Sequence, residues 1–295
     1  MTAVIATVLG VLSASIFALL LGDLLAAPEL QRENYRGVLV STGGGLVSML
    51  AALFTLAAVA AVRQLSGSPT LFVGRSIAVL FVFVAFAVLG FVDDVLGNGD
   101  SRGFRGHLQA LARGQVTTGL LKLGGGAAAA WIVADRAGIS SFRVAAAAGV
   151  ITLSANLCNL LDRAPARALK CGAAAWLALL IVSVVVAQGN LAMESANRAT
   201  LLVASICVGS CLGLLPFDAA ERLMIGDAGA NALGAVLGTV VVLTQSWHVQ
   251  LVVLIVVAAL NLLSEFVSFS SIVQRVRCFD WLDRFGTRRA RSSTR

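Results

Sequence analysis

Apolar runs of 14 to 25 residues, most of them long enough to cross a ~30 Å hydrocarbon layer as a helix, recur along almost the whole of this chain. They fall at 4–25, 38–62, 71–92, 116–133, 144–161, 173–186, 199–215, 228–243 and 249–267. A backbone in lipid must satisfy its own N–H and C=O groups, so only helices and closed barrels can span. The alternation of apolar and polar residues that a membrane barrel needs is absent. The expected fold class is therefore all-α, a polytopic transmembrane bundle of about nine spanning helices. Charged residues make up 13% of the chain, against about a quarter in ordinary soluble domains, so a soluble catalyst is excluded.

The first run carries no basic leader and exceeds the usual apolar core of a signal peptide, so it is expected to persist as a helix. Five cysteines without a Cys-x-x-Cys pair form neither a disulfide framework nor a zinc site. Cys207 and Cys211 share a helix face and suit helix packing. Gly209/Gly213 and Gly234/Gly238 have the spacing of close helix contacts.

Basic residues orient the bundle. With loops on alternating sides, 17 of the 22 Lys and Arg residues fall on one side, including all seven arginines between positions 275 and 295. Basic loops stay cytoplasmic, which puts the N-terminus outside and the tail inside. The expected organisation is a membrane domain over 1–272 and a basic, amphipathic cytoplasmic tail over 273–295. The net charge of +7 thus reports topology and attraction to anionic lipid. No nucleic-acid-binding module accompanies it.

By the same alternation three acidic stretches meet the cytoplasm: Asp93 and Asp94 in "GFVDDVLGN", Asp162 in "NLCNLLDRAPARALK", and Asp227 in "MIGDAGANALG". Carboxylates gathered in a partly dehydrated cleft raise one another's pKa unless a cation neutralises them. Mg²⁺ suits such a site, because it takes one or two carboxylates, keeps waters and bridges to substrate phosphates. The interleaved Arg102, Arg105, His107, Arg163, Arg167 and Lys170 could supply counter-charges for pyrophosphate oxygens. Gly226 and Gly229 flank Asp227 at a helix start, where backbone N–H groups favour anions. Asn156 and Asn159 lie within two turns of Asp162, and Gly44 and Gly45 allow close approach of a backbone or ligand. Asn261 and Glu265 stand near the inner end of the last run, where an ionisable residue is a functional candidate by default.

These motifs, in this order, resemble the signatures of the polyprenyl-phosphate N-acetylhexosamine-1-phosphate transferases, the MraY/WecA-like superfamily. "VSTGGG" resembles that family's Pro-x-x-Gly-Gly element, with Ser41 in place of proline. The resemblance implies attack of a polyprenyl phosphate on the β-phosphate of a UDP-N-acetylhexosamine, Mg²⁺-assisted, in a bacterial cell membrane. By motif position it implies Asp227 and Asp93 at the metal, Asp93 and Asp94 at the lipid phosphate, and Asp162 and Asn159 on the nucleotide side.

The family's His-rich loop is missing: this chain has only His107 and His248. Pro165 stands where the translocase branch has a second aspartate, and Met224 where it has an aromatic. An N-acetylhexosamine for another envelope polymer therefore fits better than MurNAc-pentapeptide. The other class these residues allow is a catalytically silent relative that binds the lipid carrier. Pairing into a homodimer is left open.

Overall fold

The computed structural model describes residues 2–34, 36–68, 71–72, 74–97, 112–114, 117–136, 141–187 and 191–287. In chain order the elements are α1 (Thr2–Leu20), α2 (Gly22–Leu25), β1 (Gln31–Glu33), β2 (Leu39–Ser41), α3 (Gly44–Leu65), α4 (Arg75–Leu96), α5 (Thr118–Arg136), α6 (Ser141–Leu161), α7 (Arg167–Ala187), α8 (Leu191–Leu212), α9 (Leu215–Ala219), α10 (Gly226–Thr244), α11 (Trp247–Ser264), α12 (Phe269–Arg275) and α13 (Arg277–Arg284). Among the described residues, seven stretches are helical, long and apolar enough to cross a membrane; they lie in α1, α3, α4, α6, α8–α9, α10 and α11. Helices α5 and α7 coincide with the fourth and sixth apolar runs.

Helix α10 is the axis of the bundle, buried along nearly its whole length and packed on α3, α4, α6, α7 and α8. Its composition makes this possible. In lipid the hydrophobic effect does not drive helices together, so small residues that let backbones touch become the main source of packing energy. A Cβ added to Gly234 would lie 2.2 Å from the Ser154 carbonyl oxygen, and one on Gly238 2.9 Å from Ile151 Cα. Helix α4 closes on α10 through Gly90, where a Cβ would meet the Asp227 carbonyl oxygen at 2.4 Å. A second seam joins α1 to α8: Gly10 faces Ile206, and Gly209 and Gly213 face Thr7 and Val11. Cys207 and Cys211 are buried, unbridged thiols beside it.

Gly90→Val is expected to push α4 from α10 and cost about 1–3 kcal/mol, as overpacking generally does. Thermal unfolding in detergent would measure it, and an unchanged midpoint would contradict the contact.

The all-α expectation needs one addition. Residues 38–41, at the head of the second apolar run, are not helical; Leu39–Ser41 pairs antiparallel with Gln31–Glu33, with Gln31 opposite Ser41. Val38, Val40 and Thr42 are β-branched, which favours extended backbone, and helix begins only after Gly43. The first run also breaks, at Leu21, into α1 and α2.

Candidate active site

The first N–H groups of a helix have no intrahelical acceptor. Around the start of α10 they face carboxylates from three other places in the chain. The Ile225 N–H stabilises the Asp218 carboxylate and the Gly226 N–H that of Asp162. Asp227 N–H donates to Asp94 Oδ1 at 3.0 Å and Ala228 N–H to Asp94 Oδ2 at 2.9 Å. Gly226 has φ +65°, a left-handed conformation natural to glycine. The Asp93–Asp94, Asp162 and Asp227 motifs therefore meet at one end of the bundle. The anions that this helix start receives are the chain's own.

Asp94 thus acts as a two-pronged cap from α4, and Arg32 holds the α4 end in turn, donating to the Asp94 and Val95 carbonyl oxygens at 2.8 and 3.0 Å. Asp94→Asn leaves one oxygen where two accepted. Loss of the cap's charge and one bond is expected to cost about 1–2 kcal/mol, read as a lowered unfolding midpoint.

Asp93, one residue earlier and about 100° around the helix, faces α5 instead. Thr118 Oγ1 donates to its Oδ1 at 2.5 Å and Lys122 Nζ to its Oδ2 at 2.8 Å. The same ammonium donates to Asp227 Oδ2 at 2.5 Å. Thr118 and Lys122 are one turn apart on α5, hence on one face. The side chains of Lys122, Asp93 and Asp227 are 12%, 18% and 31% exposed, so one lysine holds two largely dehydrated carboxylates together.

Two carboxylates drawn together in this way bear on the binding of a divalent ion. Among the described residues no group of three His, Cys, Asp or Glu side chains is arranged to hold a metal. Mg²⁺ asks for only one or two carboxylates beside water and phosphate oxygens. Asp93 and Asp227 supply that number and already converge on a cation, so the residues present fit the ion.

At the same end of the bundle lies a cavity of about 230 Å³ whose lining includes Asp162, Arg163, Pro165, Asp218, Glu221 and Met224. Burial, reinforced by Asp218, Asp227 and Asp94, pushes the Asp162 carboxyl well above its usual range, opposed by the nearby Gly226 N–H. A carboxyl raised in this way favours the protonated folded state, so its stabilising contribution is full below the unfolded pKa and is lost as pH rises through the folded value. Asp162→Asn is expected to flatten that loss, measured as unfolding midpoints across a pH series. Two buried polar atoms at this end, Asn159 Nδ2 and Asp218 Oδ2, have no hydrogen-bond partner among the described residues.

Other residues singled out from the sequence have protein partners. Gly44 and Gly45 are packed on the Met224 carbonyl and the Gly229 N–H, so the approach they permit is that of the α10 start. Asn156 donates to Asn261 Oδ1 at 2.6 Å, and Asn261 donates to the Leu153 and Val257 carbonyl oxygens, a clamp between α6 and α11. Arg167 makes a bidentate pair with Asp283, and Lys170 donates to carbonyls of 282, 283 and 285. Glu265 is exposed. Arg102, Arg105 and His107 lie outside the described residues.

Lys122, Thr118 and Asp218 were not picked out as site residues. Lys122 had a signal, as a lone ammonium near the start of an apolar run.

The family model of glycosyl transferase family 4 matches residues 76–245, from the first turn of α4 to the end of α10, with all three acidic motifs inside. The chain belongs to glycosyl transferase family 4. Membership in that family supports transfer of a sugar phosphate to a lipid carrier in general. Together with its long apolar helices, this makes the family 4 protein a membrane-integral glycosyl or phosphosugar transferase. Within the match, the family 4 transferase also carries Lys122, Thr118 and Asp218; the α1 helix, the hairpin and α11–α13 lie outside it.

Proposed function

We propose that this family 4 transferase moves a sugar-1-phosphate from a UDP-N-acetylhexosamine to a polyprenyl phosphate at the cytoplasmic face of a bacterial cell membrane, in cell-envelope polymer synthesis. An oxygen of the lipid phosphate bonds to the β-phosphorus, the bond from that phosphorus to the bridging oxygen breaks, and UMP leaves with the electron pair. The observation that carries this reading is the Asp93–Lys122–Asp227 arrangement at the same end of the bundle as the cavity lined by Asp162 and Arg163. One neutralised acidic pair with a pocket at the same end suits a reaction whose catalysis consists mainly of positioning and charge compensation.

Asp93 and Asp227 are the residues to hold Mg²⁺, which when bound would neutralise charge developing on the diphosphate. Lys122 keeps the two carboxylates within reach of one another and supplies positive charge beside them. Thr118 fixes the orientation of Asp93. Asp94 sets the α10 start, and with it the position of Asp227. Asp162, Asn159, Arg163, Pro165 and Met224 form the nucleotide side, where the partnerless Asn159 Nδ2 suits an acceptor on a base or ribose. Arg102, Arg105 and His107 remain candidates for phosphate contact. The face assignment follows from the distribution of basic residues.

Purified protein given Mg²⁺, undecaprenyl phosphate and a panel of UDP-sugars tests the proposal. UMP release with one N-acetylhexosamine donor is the expected result. Lipid binding without turnover on any donor would assign the silent, carrier-binding role instead.

A further inference from the structure

Two of the cations that the sequence offers to pyrophosphate, Arg167 and Lys170, are held by the C-terminal tail. Arg167 is 5% exposed; its Nε and Nη2 donate to the Asp283 carboxylate at 2.7 and 2.8 Å, and its Nη1 to Ser270 Oγ at 2.9 Å. Lys170 Nζ donates to the carbonyl oxygens of Leu282, Asp283 and Phe285, closing the end of α13 where the helix dipole is negative. Arg167 also ends the loop that follows Asp162 and contributes Arg163, Ala164 and Pro165 to the cavity lining. That loop turns through Ala166 at φ +60°, a conformation an alanine adopts only when its surroundings impose it.

With Asp283 turned to the bundle, the other side of α13 faces outward. Cys278, Trp281, Leu282 and Phe285 have i, i+3, i+4, i+7 spacing and form one apolar stripe. Trp281, Leu282 and Phe285 are 62%, 53% and 64% exposed. The charge around this stripe indicates what covers it. Residues 269–295 contain seven arginines and two aspartates, and both aspartates are engaged, Asp283 by Arg167 and Asp280 by Arg284. A tryptophan-bearing stripe in a segment with five more arginines than aspartates, at the end of the spanning helices where the acidic motifs lie, matches an anionic leaflet in both polarity and charge.

We propose that α13 is an interfacial lipid anchor: its Trp281–Leu282–Phe285 stripe enters an anionic leaflet while the Asp283–Arg167 pair ties that contact to the cavity-lining loop. The lipid contact and the tie stand on their own geometry and do not require the reaction proposed above. A cytoplasmic leaflet rich in acidic headgroups would thereby steady the turn between Asp162 and Arg167.

The full chain carries its own probe positions, since Cys171 and Cys278 are exposed and Cys158, Cys207 and Cys211 are buried. A nitroxide on Cys278 in the Cys171→Ser protein is placed in nanodiscs of phosphatidylcholine alone or of an equimolar mixture with phosphatidylglycerol. In the anionic disc the label should be reached by oxygen and shielded from a nickel chelate, at a depth of about 5–10 Å. The anionic preference should fall roughly fivefold for each of Arg275 and Arg277 changed to serine. Equal access of the nickel chelate in both discs would overturn the anchor, as would dipolar coupling between two labels, which would mean that a second copy covers the stripe. With labels on both Cys171 and Cys278, Asp283→Asn should broaden the distance distribution between α7 and α13. A distribution as narrow as that of the unchanged protein would overturn the tie.

Discussion

Asp227→Asn is expected to lower UMP release by on the order of 10²–10³-fold while leaving the bundle assembled. Three features make this substitution selective. Asp227 meets Asp94 through its backbone N–H, which asparagine retains. Its side chain is engaged by Lys122 and stands 31% exposed, the most open of the three groups. Its carbonyl oxygen, which receives Asn231 Nδ2, is unaffected. The change thus removes one negative charge from the Asp93–Asp227 pair and little else. Steady-state kinetics with a fixed donor and varied Mg²⁺ would show kcat lost and the metal requirement weakened. Retention of full activity would show that Asp227 takes no part in the chemistry, and a collapsed unfolding midpoint would show that its role is structural.

The second large effect is expected at Lys122. Methionine there keeps the stem and deletes the charge, leaving Asp93 and Asp227 facing one another in a largely dehydrated site. Removing one partner of a buried pair costs about 3–5 kcal/mol, and partial exposure of these side chains places this case near the lower figure, about 3 kcal/mol. Lys122→Met should also convert the pair into a better site for a divalent ion, because no ammonium has to be displaced. Saturating Mg²⁺ should therefore recover about 2–3 kcal/mol of that loss, following the dependence of stability on ligand concentration over Kd. Its effect on the unfolding midpoint should be larger in the variant than in the parent. Adding Asp93→Asn to Lys122→Met should remove the Mg²⁺ effect. A midpoint indifferent to Mg²⁺ in Lys122→Met would exclude Asp93 and Asp227 as its ligands.

Much of the arrangement was legible along the chain because lipid leaves few choices. A long apolar run has to become a helix, and an aspartate that interrupts or ends one has to find a partner. Asp93, Asp94, Asp162 and Asp227 could be singled out on that ground alone. The partners were less accessible. Lys122 lies 29 residues from Asp93 and 105 from Asp227, and nothing local announces that its helix packs on α4, across from α10. Asp218 sits in a short helix of five residues that no hydrophobic period marks. Arg167 and Lys170 look like anion contacts in sequence because a cation in a loop carries no sign of what it pairs with; Asp283, 116 residues on, takes that place.

The adjacent Asp93 and Asp94 show the division most plainly. By itself the sequence determined that the chain crosses lipid, that its acidic motifs fall at helix ends, and that their charge has to be compensated, since these follow from hydrophobic length and the energy of dehydrating charge. Only the tertiary structure decided which carboxylate does what. Successive residues on a helix point about 100° apart, so Asp94 meets the N–H groups of α10 while Asp93 meets the lysine of α5. That difference exists only once α4 is seated between those two helices, and it is Gly90, too small to hold α10 away, that allows the seating.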